Sequence, residues 1–209
     1  KIHDDIYSPM STREIFPTLI YVTQYTGDLV ALQEQLLPKI EPMFDVSKQN
    51  NQASMRGDGI CSYNAKRDLN TDPAFKSLVE FVNTHAKLYW DSLGYNKTMR
   101  PEVYEMWANI YKHESFIEMH NHSPIHMTAS FYLKHPVNGG NIVFEHPNAT
   151  LLKHQPYDFD QIRYTAFEQE VPVTSGTLVI FPGYMNHKTQ PNLSNEDRII
   201  IGSNVCNVV

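Results

Sequence analysis

The sequence predicts a mostly β protein with packed helices near its N-terminus. After Gly94 the apolar pattern changes to strand-like alternation, and Pro, Gly and Asn turns separate the short segments. Before Gly94 the chain holds an amphipathic helical segment that is long enough to lie against a sheet. Many short strands separated by turn signals indicate a sandwich, a jelly roll or a barrel.

The length and composition are typical of one domain over residues 1–209. Residues 15–100 would supply a strand, helices and a loop, and residues 101–209 would supply the β core. Of the 209 residues 41% are apolar, which is enough for a packed core. The formal net charge of −6 argues against nucleic-acid binding, which usually needs a basic surface.

Two further features bear on location. No apolar run approaches the roughly 20 residues that span a bilayer. The only cysteines, Cys61 and Cys206, are far apart in the sequence, and such a pair is typical of a reduced intracellular protein. The expected location is therefore the cytoplasm.

The first half carries four local signals. The β-branched and aromatic run 16–22 predicts a strand. Asp28 is placed to cap a helix, which Pro38 would end. Residues 45–72 are rich in Asn and Gly and predict a long loop, either functional or disordered. Asp72-Pro73 opens an amphipathic helix that Gly94 closes.

The second half alternates at strand period. This pattern predicts six strands, at 103–111, 128–133, 141–144, 170–173, 177–181 and 198–203.

Three histidines are candidates for a metal site. His120 and His122 are separated by one residue, so in a strand both imidazoles would lie on one face. The chain has ten histidines, so this spacing alone is weak evidence. His187 follows the strand 177–181 and the turn Pro182-Gly183, and such a turn would hold the imidazole in place. Together the three predict a facial metal site.

Arg198 is the other candidate. It enters an apolar strand at Ile199, and a buried guanidinium needs an anionic or other strong acceptor. A ligand carboxylate would bind it through two hydrogen bonds. A salt bridge to Glu196 or Asp197 is the alternative.

These residues resemble the Fe(II)/2-oxoglutarate-dependent oxygenase superfamily, and within it the prolyl-hydroxylase-like branch. The pattern is most similar to a phage and marine-bacterial group that carries a His-x-His motif. The resemblance covers about residues 15–204. The matching segments are Phe16-Pro17-Thr18, Trp107-Ala108-Asn109, 120–124, Tyr132-Leu133, 139–144, 176–187 and 198–204.

The resemblance implies a double-stranded β-helix core, the jelly roll of this superfamily. It implies a non-haem iron dioxygenase that couples 2-oxoglutarate decarboxylation to hydroxylation of an unknown peptide or small molecule. The implied Fe(II) ligands are His120, His122 and His187. The implied 2-oxoglutarate contacts are Arg198, Tyr132 and Asn204. O2 would be the second co-substrate, and a phage-encoded protein would act in the host cytoplasm. A homodimer is left open.

One position departs from the superfamily. The usual ligand set is two histidines and one carboxylate, and His122 stands where the carboxylate is expected. Either His122 is a ligand, which leaves the ion one negative charge short, or another carboxylate or a water takes that place. Asn109, Thr128 and Ser130 could line the pocket beside the site, or be ordinary polar strand residues.

Other functions compete with the oxygenase hypothesis. A cupin-type metalloprotein, either an isomerase or a ligand-binding protein, would share the histidines but would not need Arg198 or Tyr132. A zinc hydrolase would add His126, but no supporting motif is present. A non-enzymatic module with a vestigial site is the fourth reading.

Overall fold

The computed structural model describes residues 17–47, 51–148 and 166–208, and it is mostly β with two helices. The elements in chain order are β1 Tyr21–Gln24, α1 Leu29–Ser47, β2 Met55–Arg56, β3 Ile60–Cys61, α2 Lys76–Ser92, β4 Arg100–Tyr111, β5 Phe116–Ile117, β6 Met127–Lys134, β7 Ile142–Glu145, β8 Glu168–Val171, β9 Thr177–Pro182, β10 His187–Thr189 and β11 Arg198–Val208.

The described strands form three antiparallel sheets. The large sheet has the order β1-β9-β6-β11-β4-β3, and a smaller sheet has the order β10-β7-β8. Strands β2 and β5 form a short ribbon. Strand β11 pairs with β4 on one side and with β6 on the other, so it lies in the middle of the large sheet.

The large sheet separates two apolar layers. On one face it packs against both helices, with Leu36 and Leu78 in that cluster. On the other face it packs against the small sheet, where Phe144 is buried. The three consecutive isoleucines of β11 divide between these layers, because Ile199 and Ile201 join the helical cluster and Ile200 joins the inter-sheet cluster. This alternation is that of a strand with both faces covered.

The predicted glycine after α2 is confirmed, but the predicted Asp72 cap belongs to the 3-10 turn Pro73–Phe75 that precedes the helix. The Asp72 carboxylate accepts a hydrogen bond from the Ala74 backbone N–H at 2.9 Å. Pro73 opens a 3-10 turn that leads into the helix. Gly94, with φ of +73°, follows the last turn in the left-handed conformation that ends many helices.

Two predicted boundaries are wrong. Helix α1 continues to Ser47 with Pro38 and Pro42 inside it. Its apolar face extends past Pro38 through Ile40 and Phe44, which are buried in the helical cluster. That packing offsets the backbone hydrogen bond that an interior proline removes.

The first strand also lies later than predicted. Strand β1 begins at Tyr21, where it starts to pair with Ile180 of β9, and it ends at Gln24. The predicted run began at Phe16, which lies outside the described residues. Pairing with β9, rather than local composition, decides where β1 begins.

The predicted loop 45–72 is largely ordered where it is described. It contains β2, β3 and a 3-10 turn at Leu69–Thr71. The Asn51 side chain organises it, because Oδ1 accepts from the Cys61 N–H at 2.8 Å and Nδ2 donates to the Gly59 carbonyl at 2.7 Å. Strands of two residues are too short to produce a periodic pattern, so the sequence did not show them.

Both cysteines are free, as expected. Neither α1 nor α2, the two helices of the described ranges, combines the length and apolar character that a bilayer crossing needs.

The buried face of α2 should dominate its contribution to stability. Leu78 is fully buried, whereas Leu88 on the same helix is 51% exposed. Leu78→Ala should lower the free energy of unfolding by about 2–5 kcal/mol because it leaves a cavity. Leu88→Ala, the matched control, should change it by less than about 0.5 kcal/mol. Urea unfolding followed by circular dichroism measures both, and equal losses would contradict the packing described here.

Candidate metal centre and adjoining pocket

Three histidine side chains meet between the two main sheets. One ring nitrogen each of His120, His122 and His187 lies within 4.8 Å of the other two. The ring centroids are 4.3 to 5.3 Å apart. A single ion could therefore contact all three imidazoles, and three nitrogen donors suit Fe, Zn, Cu or Ni better than Mg or Ca.

The backbone brings these rings together by a route that differs from the predicted one. His120 and His187 form an isolated antiparallel bridge, with N–H to carbonyl distances of 3.0 and 2.9 Å. His122 lies outside any strand, and its N–H donates to the Gly183 carbonyl at 2.8 Å. The expectation of a strand over residues 120–122 is therefore wrong. Single backbone contacts of His120 with His187 and of His122 with Gly183 hold this segment instead.

Two of the rings are oriented by carbonyl groups. The Nδ1 of His120 lies 2.8 Å from the Glu118 carbonyl, and the Nδ1 of His187 lies 3.0 Å from the Met185 carbonyl. A carbonyl can only accept, so each Nδ1 carries the proton. The lone pair of each Nε2 is then available for a metal, which is the usual orientation of metal-binding histidines.

The three imidazoles are held in the neutral form. Burial lowers the pKa of His187 well below its usual value, and the neighbouring His120 and His122 lower it further. Burial, followed by the effect of His120, lowers the pKa of His122 to about 4. Burial also lowers the pKa of His120. A neutral imidazole is the form that binds a metal ion.

A cavity of about 360 Å³ adjoins the histidines. Its polar lining includes five residues proposed from the sequence, Asn109, Thr128, Ser130, Tyr132 and Asn204, but not Arg198. The sequence reasoning missed the role of Glu105, which also lines the cavity. The signal was present, because Glu105 and Trp107 continue the two-residue alternation back from Asn109 along β4.

Arg198 lies fully buried behind this cavity. Nη1 donates to the carbonyls of Gly139, Gly140 and Gln190, the last two at 3.0 Å. Nη2 donates to the hydroxyl of Thr189, a cavity-lining residue, at 3.0 Å. Neutral acceptors thus position the guanidinium without neutralising its charge.

The acidic residues suggested as partners of Arg198 are engaged elsewhere. Glu196 pairs with Lys134 at 3.0 Å, and Asp197 pairs with Lys112. Within the described part of the chain, Arg198 Nε and the Tyr132 hydroxyl are buried without a hydrogen-bond partner. Unpaired donors of this kind are costly, so this end of the cavity is suited to an anionic acceptor.

Trp107 forms the wall beside His122. The two rings are stacked, with centroids 5.7 Å apart and an interplanar angle of 23°. Gly202 pairs with Trp107 across the sheet, and a Cβ atom on Gly202 would lie 2.5 Å from two atoms of the indole. The absence of a side chain at 202 therefore allows the indole to lie flat beside His122.

A comparison with protein families bears on the chemistry of this part of the chain. Residues 105–204 match the family described as "Putative 2OG-Fe(II) oxygenase". Over this segment, which is just under half of the chain, the sequence is similar to the 2OG-Fe(II) oxygenases. The matched stretch contains all three histidines, Tyr132 and Arg198. No curated protein matches the chain in sequence.

Solved structures of similar fold support the same assignment of architecture. A prolyl-4-hydroxylase from Pseudomonas putida has a TM-score of 0.59 at 13% identity, over 92% of this chain and 94% of that one. HygX from Streptomyces hygroscopicus has a TM-score of 0.58 at 12% identity, over 90% and 82% of the two chains.

A collagen prolyl hydroxylase from Paramecium bursaria Chlorella virus-1 has a TM-score of 0.55 at 13% identity, over 91% and 96%. These similarities confirm the predicted double-stranded β-helix fold.

The protein is thus an oxygenase that uses Fe(II), 2-oxoglutarate and O2, with an unidentified primary substrate. The histidines suit the metal because their donor set is one that iron accepts. This result favours the oxygenase hypothesis over the cupin, hydrolase and vestigial alternatives.

The close approach of Trp107 and Gly202 can be tested by adding one methyl group. Gly202→Ala should displace the indole and lower the free energy of unfolding by about 1–3 kcal/mol, the usual cost of overpacking. Ser130→Ala, at the cross-strand partner of Gly202, adds no atom and is the control. Intrinsic tryptophan fluorescence should shift only in Gly202→Ala, and an unshifted spectrum with unchanged stability would contradict the packing.

Proposed function

We propose that His120, His122 and His187 bind the Fe(II) of this oxygenase as an all-histidine set. The observation that carries this proposal is the convergence of three ring nitrogens within 4.8 Å of one another. The carbonyls of Glu118 and Met185 support it, since they turn the Nε2 lone pairs of two rings away from the backbone.

The proposed 2-oxoglutarate site extends from the metal towards Arg198. The distal carboxylate would accept from Arg198 and from the Tyr132 hydroxyl, whose unpaired donors lie at that end. Burial raises the pKa of Tyr132, which keeps the hydroxyl protonated and able to donate. HygX contains nickel and 2-oxoglutarate, and the viral hydroxylase is a 2-oxoglutarate complex, which supports this use of a shared fold.

Asn204 was expected to bind the same co-substrate. It lies at the opposite end of the cavity-facing row of β11 from Arg198, six residues along the strand, or about 20 Å at strand spacing. One small carboxylate cannot contact both side chains. We therefore place Asn204 at the metal end of the cavity, beside Thr128 of β6.

The bound iron supplies the redox chemistry that couples decarboxylation of 2-oxoglutarate to hydroxylation of a substrate C–H bond. The chain's own part is to position the co-substrate and to limit access of water. The apolar walls formed by Trp107 and Ile142 serve the second purpose. The cavity is also lined by Gln52 and Tyr63 of the segment 45–72 and by Ser123–Ile125. We propose that these loop residues select the primary substrate.

Three further proposals rest on the sequence observations. Residues 1–209 would form one domain, the protein would act in the cytoplasm, and it could function as a homodimer. Light scattering of the purified protein tests the last of these.

Replacement of a proposed ligand should abolish iron binding. His187→Ala removes the most buried imidazole of the three and should weaken Fe(II) binding by at least about 100-fold. His85→Ala, on α2, is the control, because that ring hydrogen-bonds Tyr21 instead. Anaerobic Fe(II) titration by calorimetry measures both. Full iron binding by His187→Ala would contradict the site.

Removal of the Tyr132 hydroxyl should weaken co-substrate binding alone. A hydrogen bond to a charged group is worth about 1.5–3 kcal/mol, so Tyr132→Phe should raise the 2-oxoglutarate Kd by about 10–100-fold. Tyr95→Phe, at a half-exposed ring near the end of α2, should leave it unchanged.

The readout is the charge-transfer band of the anaerobic Fe(II)–2-oxoglutarate complex, with Fe(II) affinity measured separately. Arg198→Lys keeps the positive charge but loses the planar pair of donors, and it should also weaken 2-oxoglutarate binding. Unchanged affinity in both variants would contradict the carboxylate subsite.

A further inference from the structure

The proposed metal site poses a question of charge. A set of three neutral imidazoles gives the Fe(II) ion no negative ligand, whereas the usual two-histidine, one-carboxylate set gives it one. The ring of His122 also differs from the other two. Backbone carbonyls orient the rings of His120 and His187, but the described residues show no such contact for the His122 ring. The side chain that takes this role indicates where the missing charge lies.

Asn204 is the candidate for this role. Its Nδ2 donates to the Glu105 Oε2 at 2.9 Å. Because a carboxylate can only accept, this hydrogen bond determines the orientation of the amide and leaves Oδ1 on the opposite side. Asn204 and Glu105 form the cross-strand pair next to Gly202 and Trp107 on the cavity face, and the indole of Trp107 stacks on the His122 ring.

The Asn204 Oδ1 is accordingly an acceptor beside the cavity that His122 also lines. Within the described residues it is buried and makes no hydrogen bond of standard geometry, so it has no competing partner. The Glu118 and Met185 carbonyls hold the other two rings in the same manner. An amide oxygen is therefore available to complete the outer shell of the proposed site.

Glu105 stands directly behind this amide. It faces Asn204 across the β4–β11 pairing, and its side chain is only 15% exposed. Arg67 approaches the other carboxylate oxygen at 3.2 Å, and the Tyr63 hydroxyl lies 3.5 Å away. The Arg67 side chain is 54% exposed, so water screens its charge more than that of the buried carboxylate.

We propose that the Glu105 carboxylate polarises the Asn204 amide, which in turn accepts a hydrogen bond from His122. Glu105 would thereby supply, through one intervening side chain, the negative charge that the all-histidine ligand set lacks. Glu105 is a positioning residue here, since it does not contact the metal position itself. The inference rests on the proposed function of the three histidines. Its chemical basis is that an acceptor polarised by a carboxylate makes an imidazole a stronger metal ligand.

The test uses Co(II) alone, without 2-oxoglutarate or substrate, so it is independent of turnover. Glu105→Gln keeps the size of the side chain and removes its charge. It should weaken Co(II) binding by about 10-fold or more, the usual effect of losing such an outer-shell carboxylate. Glu102→Gln is the matched control, because Glu102 lies exposed on the same strand, away from the cavity. Calorimetry and the visible Co(II) spectrum give two readouts.

Arg67→Gln separates this role from a structural one. If Glu105 only held Arg67 and Tyr63 in place, removing either Glu105 or Arg67 would loosen the cavity wall. Glu105→Gln and Arg67→Gln would then both weaken Co(II) binding. If Glu105 acts by charge, removal of the opposing cation leaves Co(II) binding as tight as in the wild type, or tighter. Thermal unfolding of the metal-free variants checks that each is folded.

Weaker binding in Glu105→Gln, with no weakening in Arg67→Gln or Glu102→Gln, supports the proposal. Unchanged binding in Glu105→Gln, or equal weakening in Arg67→Gln, overturns it. If the three histidines do not form the metal site, the result is different. The wild type would then not bind Co(II), or His187→Ala would bind it as tightly as the wild type does.

Discussion

The central position of β11 determines how the site is built. Because both neighbours pair with it, its side chains must alternate between the helical layer and the cavity. Arg198 and Asn204 share the cavity side with Ile200, while Ile199 and Ile201 anchor the strand to the helical layer. The strand thus carries the residues proposed for the co-substrate end and the metal end of one pocket in a single register, and a slip of one residue would bury the wrong set.

The cavity contains polar groups that the rest of the fold does not satisfy. Arg198 Nε, the Tyr132 hydroxyl and the Asn204 Oδ1 are all buried without a standard hydrogen bond in the described residues. Ordinary interiors avoid such groups because each costs free energy. At the proposed site, a charged ligand and a metal-bound imidazole would supply the missing partners.

The proposed outer shell would explain how three neutral side chains can serve in place of a set with a carboxylate. Backbone carbonyls hold two of the rings, and the Asn204 amide, which hydrogen-bonds the Glu105 carboxylate, is proposed to serve the third. The backbone bridge between His120 and His187 brings these parts together, and it joins residues 67 positions apart. Binding, orientation and charge are thus divided among different side chains.

Local patterns alone determined a substantial part of this protein. Three local signals are retained in the fold: the Asp72-Pro73 turn that leads into α2, the strand alternation after Gly94 and the isoleucines that follow Arg198. The motif spacing was enough to indicate the family. The continuation of α1 past Pro38 was decided only by the tertiary structure, because packing against the sheet outweighs a local helix-ending signal. The same holds for the bridge that replaces a strand at His120 and for the place of Glu105 behind Asn204. These features depend on contacts between residues far apart in the chain, and periodicity over a few residues does not record such contacts.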